Sequence, residues 1–292
     1  MNQVFLILAH KNPQQLLLLL NQLESSKSFF FIHTDKKSKI EDFKSASVAI
    51  QNVNFISERY HIKWGSFNMV KATLALMKEA EKSDITYSHV HLLSGEDVRI
   101  KSIENLQTYF SDHSDFSFLN HFALPCPYWP DGGMQRITEY YFDNSPRKIK
   151  SVKRILLKIA AQFLNKVAVH VFPFLKKRPD KNIIYHGGSQ WWSLNKESVG
   201  FILQYIEYYP DFVKFFKYSF IPDEIFFHTI LLNSDLKSKI ICDNKRYIDW
   251  LHPEKGFPAY IIVEDYKTLL QTDAFFARKV DFETSSDLYK IF

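Results

Sequence analysis

Glycine is scarce in this 292-residue chain, with only 8, and they do not gather into the Gly-rich loop that cradles phosphates. Cysteine is scarcer: Cys126 and Cys242 stand alone, with neither a Cys-x-x-Cys pair nor Cys/His metal spacing. That gives no basis for a disulfide framework and points to a reducing compartment. No apolar run approaches the roughly 20 residues that cross a bilayer; the leucine run from Leu16 to Leu20 is far too short. No motif recurs at a fixed period, so a repeat array is excluded. The first residues run straight into an apparent strand, with no basic leader or small-residue cleavage site, so the expected location is the cytoplasm.

What is abundant is apolar surface. Hydrophobic residues make up 46% and aromatic ones 16%, enough to bury a large core in a single domain with two fused halves, 1–120 and 121–292. The run Val4 to Ala9 reads as a buried strand, followed by a loop at His10 and a Leu-rich helix to Leu23. Further strands are expected at Phe29 to Ile32, Val53 to Ile56 and His89 to Leu93, with a helix from Ser66 to Ala80. Strands alternating with helices predict an α/β fold with a mostly parallel sheet, whose ligands gather at the carboxyl ends of the strands. Polar groups fall there: His10, Asp35, the loop from Arg59 to Trp64, and Gly95 to Asp97.

The net charge of +5 is unevenly spread. Between 144 and 181 there are eleven Lys or Arg against Asp180 alone, so that segment carries +10 and the remainder −5. Apolar residues including Val152, Leu156, Ile159 and Phe163 interleave with the cations. The pattern is a basic amphipathic helix, suited to an anionic membrane surface and equally to a partly exposed core helix with a solvated face. Basic character confined to one segment of an acidic body is a poor footprint for nucleic acid, and no nucleic-acid partner is expected.

Chemistry centres on Pro222-Asp223-Glu224, two carboxylates at a turn into the apolar helix that runs on to Leu231. Alone, Pro and acids at this place are accounted for as helix-start residues, complementing the helix dipole. Upstream, His186-Gly187-Gly188-Ser189-Gln190-Trp191-Trp192 pairs close backbone approach with flat aromatic faces that suit a sugar ring, and only one of the two tryptophans is expected to face a site.

Seven blocks, in this order, resemble the core-2/I-branching family, which includes β-1,6-N-acetylglucosaminyltransferases and related peptide O-xylosyltransferases. They are Ile32-His33-Thr34-Asp35, Trp64-Gly65-Ser66, Leu93-Ser94-Gly95-Glu96-Asp97 with Lys101-Ser102, Gly188-Ser189-Gln190-Trp191, Pro222-Asp223-Glu224, Arg246-Tyr247-Ile248-Asp249-Trp250 and Phe276-Ala277-Arg278-Lys279. The resemblance spans about residues 4–282. It implies a GT-A-type nucleotide-diphosphosugar transferase fold and inverting transfer from a UDP-sugar to a glycan hydroxyl without a divalent metal or other cofactor. N-acetylglucosamine is the expected sugar, with xylose or another UDP-sugar as the alternative. It places the general base on Glu224, the diphosphate on Arg246 and Lys279, and the nucleotide on Ala9, His10, Asp35 and Arg59. Asp97, Ser189, Gln190, Trp191 and Trp250 are expected around the donor and acceptor sugars, with Arg136 and Tyr140 as acceptor contacts.

The chemistry fits those types. Inversion needs one base to take the proton of the attacking hydroxyl, and two fixed cations can stabilise the departing diphosphate in place of a metal. A metal-dependent alternative rests on Glu96 and Asp97, a non-catalytic alternative on the fold alone. Animal members carry a membrane anchor and disulfides; their absence here suggests a bacterial relative acting on a surface polysaccharide or lipid-linked glycan, with peripheral membrane contact through 144–181.

Overall fold

Both faces of Asn2–Ala9 (β1) are covered, Val4, Leu6 and Leu8 by one apolar cluster and Phe5, Ile7 and Ala9 by another. A strand buried on both sides reads in sequence as an unbroken apolar run, the mark of a parallel sheet with helices on each face. The computed structural model describes residues 1–141, 177–252 and 258–292, together with Val152, Leu156, Ile159, Ala160 and Phe163.

Helix Pro13–Leu23 (α1) starts with proline at its first position, and the Asn12 side chain accepts the Gln15 N–H at 3.1 Å. These two devices satisfy or remove backbone donors that a helix start leaves unpaired. After it come Ser28–Thr34 (β2), Ile40–Ala46 (α2), Val53–Phe55 (β3), Asn68–Lys82 (α3) and Tyr87–Ser94 (β4). Short pieces follow: Val98–Arg99 (β5), Ile103–Asp112 (α4), Ser117–Phe118 (β6), His121–Ala123 (β7) and Gln135–Thr138 (α5). Beyond the basic segment are His186–Gly188 (β8), Ser193–Asn195 (β9), Lys196–Tyr208 (α6), Pro210–Phe216 (α7) and Phe226–Leu232 (α8). The chain closes with Ile240–Ile241 (β10), Arg246–Ile248 (β11), Tyr266–Gln271 (α9), Phe276–Arg278 (β12), Phe282–Ser285 (α10) and Leu288–Ile291 (α11).

The seven-stranded sheet has the order β10-β6-β9-β4-β1-β2-β3. β1 pairs in parallel with β2 and β4, and β2 with β3, while β9 runs antiparallel between β4 and β6. This is the mostly parallel α/β arrangement expected of a GT-A-type domain. β9 belongs to the second half of the chain, so both halves share one sheet. A three-stranded sheet, β11-β12-β5, lies beside it, and β7 pairs with β8.

The expected strands and the two long helices lie where the apolar runs placed them, with ends shifted by one or two residues. One local expectation is corrected. Pro222-Asp223-Glu224 does not open the helix: it is a separate 3₁₀ turn, and α8 begins only at Phe226, after Ile225 at φ −130° breaks the helical path. Most of 144–181 lies outside the described residues.

Candidate active site

The carboxyl edges of β1, β2 and β4 are tied together by backbone. Ala9 accepts the Asp35 N–H at 2.8 Å, and Leu8 accepts the Gly95 N–H at 3.1 Å. Asp35 is buried and brackets two loops, accepting the Lys37 N–H on Oδ1 at 2.9 Å and the Ile62 N–H on Oδ2 at 3.0 Å. Arg59 pins the same edge by donating to the carbonyls of Thr34, Asp35 and Ser38. Ala9, His10, Asp35 and Arg59 therefore do come together, with Asp35 and Arg59 holding the loops that shape the edge.

Next to them is a network of alternating charge. Glu96, almost buried, lies 2.8 Å from Lys11 Nζ through Oε1 and 3.7 Å from Lys279 Nζ through Oε2. Asp97 is fully buried, accepts the Ser94 amide and hydroxyl at 3.0 and 2.8 Å, and lies 3.2 Å from Arg278 Nε. Burial pushes the Asp97 carboxyl upward against the pull of Arg278. The Arg278 guanidinium in turn covers the Trp191 ring, 3.9 Å from its centroid. Trp192 is fully buried against Phe227, so Trp191 is the tryptophan turned to the site. Both acids of the Glu96-Asp97 pair are already matched to cations. Among the described residues, no group of three or more His, Cys, Asp or Glu is arranged to hold a metal ion.

Arg246, expected at the diphosphate, lies behind this network, close enough to Asp97 and Arg278 for their charges to bear on it. Its guanidinium is buried, with Nη1 donating to Ser193 Oγ at 2.7 Å and to the Asn244 carbonyl, and Nη2 to the Trp192 and Leu92 carbonyls at 2.7 and 3.3 Å. Both terminal nitrogens are thus spent on joining β4, β9 and β11. The cation presented beside Lys279 is Arg278. Sequence alone could not separate the two arginines, since Arg246 opens one short strand and Arg278 closes another, and neither place fixes what the guanidinium meets. Trp250 is half exposed on the loop after β11.

Glu224 belongs to a second cluster. Its Oε2 is 2.5 Å from Arg136 Nη1, and the Arg136 guanidinium lies 3.6 Å from the Trp129 ring centroid. Arg136 is an expected acceptor contact; Trp129, on the loop after β7, is an addition. Tyr140 packs instead toward Tyr218. The turn is held in tension: Ile221, before Pro222, sits at φ 48°, and its N–H reaches the Gly65 carbonyl at 3.1 Å. A β-branched residue in the left-handed region costs about 1–3 kcal/mol, and such outliers cluster at functional sites. Gly65, at φ 73°, lies so close to the Phe220 ring that a Cβ would stand 3.0 Å from it. Trp64 crosses Phe220 edge-on and is 57% exposed, which sets an aromatic face beside the turn.

The two clusters are joined by one short stretch. Trp129 packs on Gly187, where a Cβ would meet its ring at 2.5 Å, and Trp191 carries Arg278. Gly187 and Trp191 are four residues apart, at most about 14 Å of chain. Between them Ser189 Oγ accepts the Trp191 N–H at 3.3 Å, and the buried Gln190 Nε2 has no protein partner. An amide with an unused donor there is suited to a substrate oxygen.

Burial raises the Glu224 carboxyl while Arg136 opposes it, which brings a carboxylate base closer to neutral pH. Asp223 caps no helix; it is buried, its Oδ1 is unpartnered, and burial together with Glu224 pushes its carboxyl up to about 7. The fold thus favours neutral Asp223. The stability it contributes is complete below the unfolded value of about 4 and is lost as pH climbs through about 7. Asp223→Asn cannot ionise, so across that window the wild-type melting temperature should fall relative to the variant's; parallel curves would contradict this.

An α/β sheet with paired cations, Arg278 and Lys279, held by acids beside its carboxyl edge suits an anionic ligand there. The family model described as Core-2/I-Branching enzyme matches residues 4–270, and the chain belongs to that family. Xylosyltransferase 1 of Pan troglodytes and that of Homo sapiens are each 24% identical to it over 257 residues, 84% of this chain. The chain spans about a quarter of the length of these curated relatives, 24% of each. Among solved structures, mouse xyloside xylosyltransferase 1 in its apo form aligns over 97% of this chain and 99% of its own, at 10% identity and a TM-score of 0.44.

Proposed function

We propose that this chain is an inverting, metal-independent glycosyltransferase that moves a sugar from a UDP-sugar to a glycan hydroxyl. The observation that carries the reading is the Gly187–Trp191 stretch: its Gly187 end packs on Trp129, the ring that carries the Arg136–Glu224 pair, and its Trp191 end carries Arg278, with Lys279 next in the chain. Glu224 takes the proton of the attacking hydroxyl on the face opposite the leaving group. Arg278 and Lys279 receive the charge that develops on the departing diphosphate: a planar fork and a point charge. Glu96 and Asp97 position these cations, and their engagement with Lys11, Lys279 and Arg278 supports the metal-free form of the reaction over a site in which they bind a metal. Asp35 and Arg59 hold the nucleotide-side loops.

The names of the relatives favour xylose as the transferred sugar, and N-acetylglucosamine is the second reading, from the family's branching members. A surface polysaccharide or lipid-linked glycan is the proposed acceptor. The test is a transfer assay against a panel of UDP-sugars in excess EDTA. One donor should give product at the same rate with and without chelator. Activity lost in EDTA and restored by Mn²⁺ would overturn the metal-free mechanism, and no transfer from any donor would favour a binding protein that kept the fold.

A further inference from the structure

The described positions within the basic segment share one face. Val152, Leu156, Ile159, Ala160 and Phe163 are helical, and at 100° per residue Val152, Leu156, Ile159 and Phe163 fall within an arc of about 60°. A stripe of that kind is normally a helix's core-facing side. Here it faces outward: the exposures are 74%, 59%, 55% and 56%, whereas the apolar residues on the inner faces of the described helices α1 and α3 are buried. Leaving four large apolar side chains of one stripe in water is unfavourable, so the face calls for a cover.

Charge selects the cover. The sequence from 144 to 181 holds eleven cations and a single acid, with Lys153, Arg154 and Lys158 alternating in sequence with the stripe residues. Pairing the stripe with its counterpart on a second copy would bring two +10 segments together, which is repulsive. An anionic bilayer offers what the segment lacks, an apolar interior for the stripe and a negative surface for the cations. Each cation near such a surface adds to the attraction, and the gain is lost with salt.

We infer that Val152, Leu156, Ile159 and Phe163 form a docking stripe that seats this protein on the surface of an anionic lipid bilayer. The stripe enters the headgroup boundary while neighbouring lysines and arginines meet acidic headgroups. Nothing in this depends on the transferase reading.

The test is flotation of the full chain with vesicles of phosphatidylcholine alone, and with about one third phosphatidylglycerol, at low salt and at about 0.5 M salt, where exposed charges are screened. The protein should float with the anionic vesicles at low salt, weakly with neutral ones, and be released by salt. Leu156→Asp combined with Phe163→Asp should cut binding at least about tenfold, with the unfolding midpoint unchanged, because the stripe is already exposed. Lys153→Gln with Arg154→Gln should flatten the salt dependence. Absence of binding to anionic vesicles, or equal binding by the Leu156→Asp/Phe163→Asp protein, would overturn the inference. So would self-association that this double variant abolishes, since the cover would then be a second copy.

Discussion

Glu224→Gln should lower the rate of sugar transfer by about 10²- to 10⁴-fold, the usual worth of a positioned general base. Glutamine keeps the shape and an oxygen that can still accept from Arg136 Nη1, 2.5 Å away in the native pair, so the turn should persist. What disappears is the capacity to take a proton. Affinity for UDP should stay nearly unchanged, because the cations assigned to the diphosphate, Arg278 and Lys279, stand on Trp191 and beside Glu96 rather than on Glu224. Steady-state transfer and UDP binding, measured on the same preparation, separate these effects. Equal transfer by both proteins would move the base elsewhere, with Asp223 the nearest other carboxyl.

The largest structural effect is expected from Gly188→Ala. A Cβ at this position would lie 1.9 Å from the Asn120 carbonyl oxygen and 2.8 Å from His228 Nε2. The obstacle is backbone, which cannot step aside as a flexible side chain can. Gly188 also pairs with His121 in the β7–β8 ladder, so yielding there would pull at the stretch that joins the two clusters. A loss of about 3 kcal/mol or more is expected, at the upper end of overpacking penalties, and hence a drop in melting temperature of about 6 °C or more. Gly200→Ala is the control. It lies within α6 with nothing within 4 Å of its would-be Cβ, so alanine there should be neutral or stabilising by about 0.5–1 kcal/mol. Equal melting temperatures for Gly188→Ala and wild type would contradict the close approach.

Much of the scaffold was legible because its signals are local. The apolar runs ending at Ala9, Ile32 and Leu93 announced buried strands, and the polar residues after them lie at one sheet edge as parallel topology requires. The roles of individual cations and acids were less legible. Arg246 and Arg278 look alike in sequence, yet one spends its donors on the carbonyls of Leu92, Trp192 and Asn244 while the other stacks on Trp191. Burial depth is a tertiary property with no local signature. The Glu224 turn was mistaken for a helix start for a related reason: Pro222 and two acids fit either a 3₁₀ turn or a first helical turn, and what distinguishes them is Ile221 at φ 48°, held by the carbonyl of Gly65 from far upstream. Trp129 carries no local signal of its role, which follows from the placement of its ring on Gly187 and under Arg136.

The central claim is that the edge formed by Lys279, Arg278 and Glu96 receives a nucleoside diphosphate without a metal. It is tested most directly by titrating UDP in excess EDTA into wild type and Lys279→Ala, following the unfolding midpoint, since a ligand of the native state raises it in proportion to affinity and concentration. Wild type should show a saturable rise, and Lys279→Ala a rise that needs at least about tenfold more UDP, as expected for losing one charge-assisted contact. Equal responses from the two proteins, or a wild-type rise that occurs only with added Mn²⁺, would contradict the account.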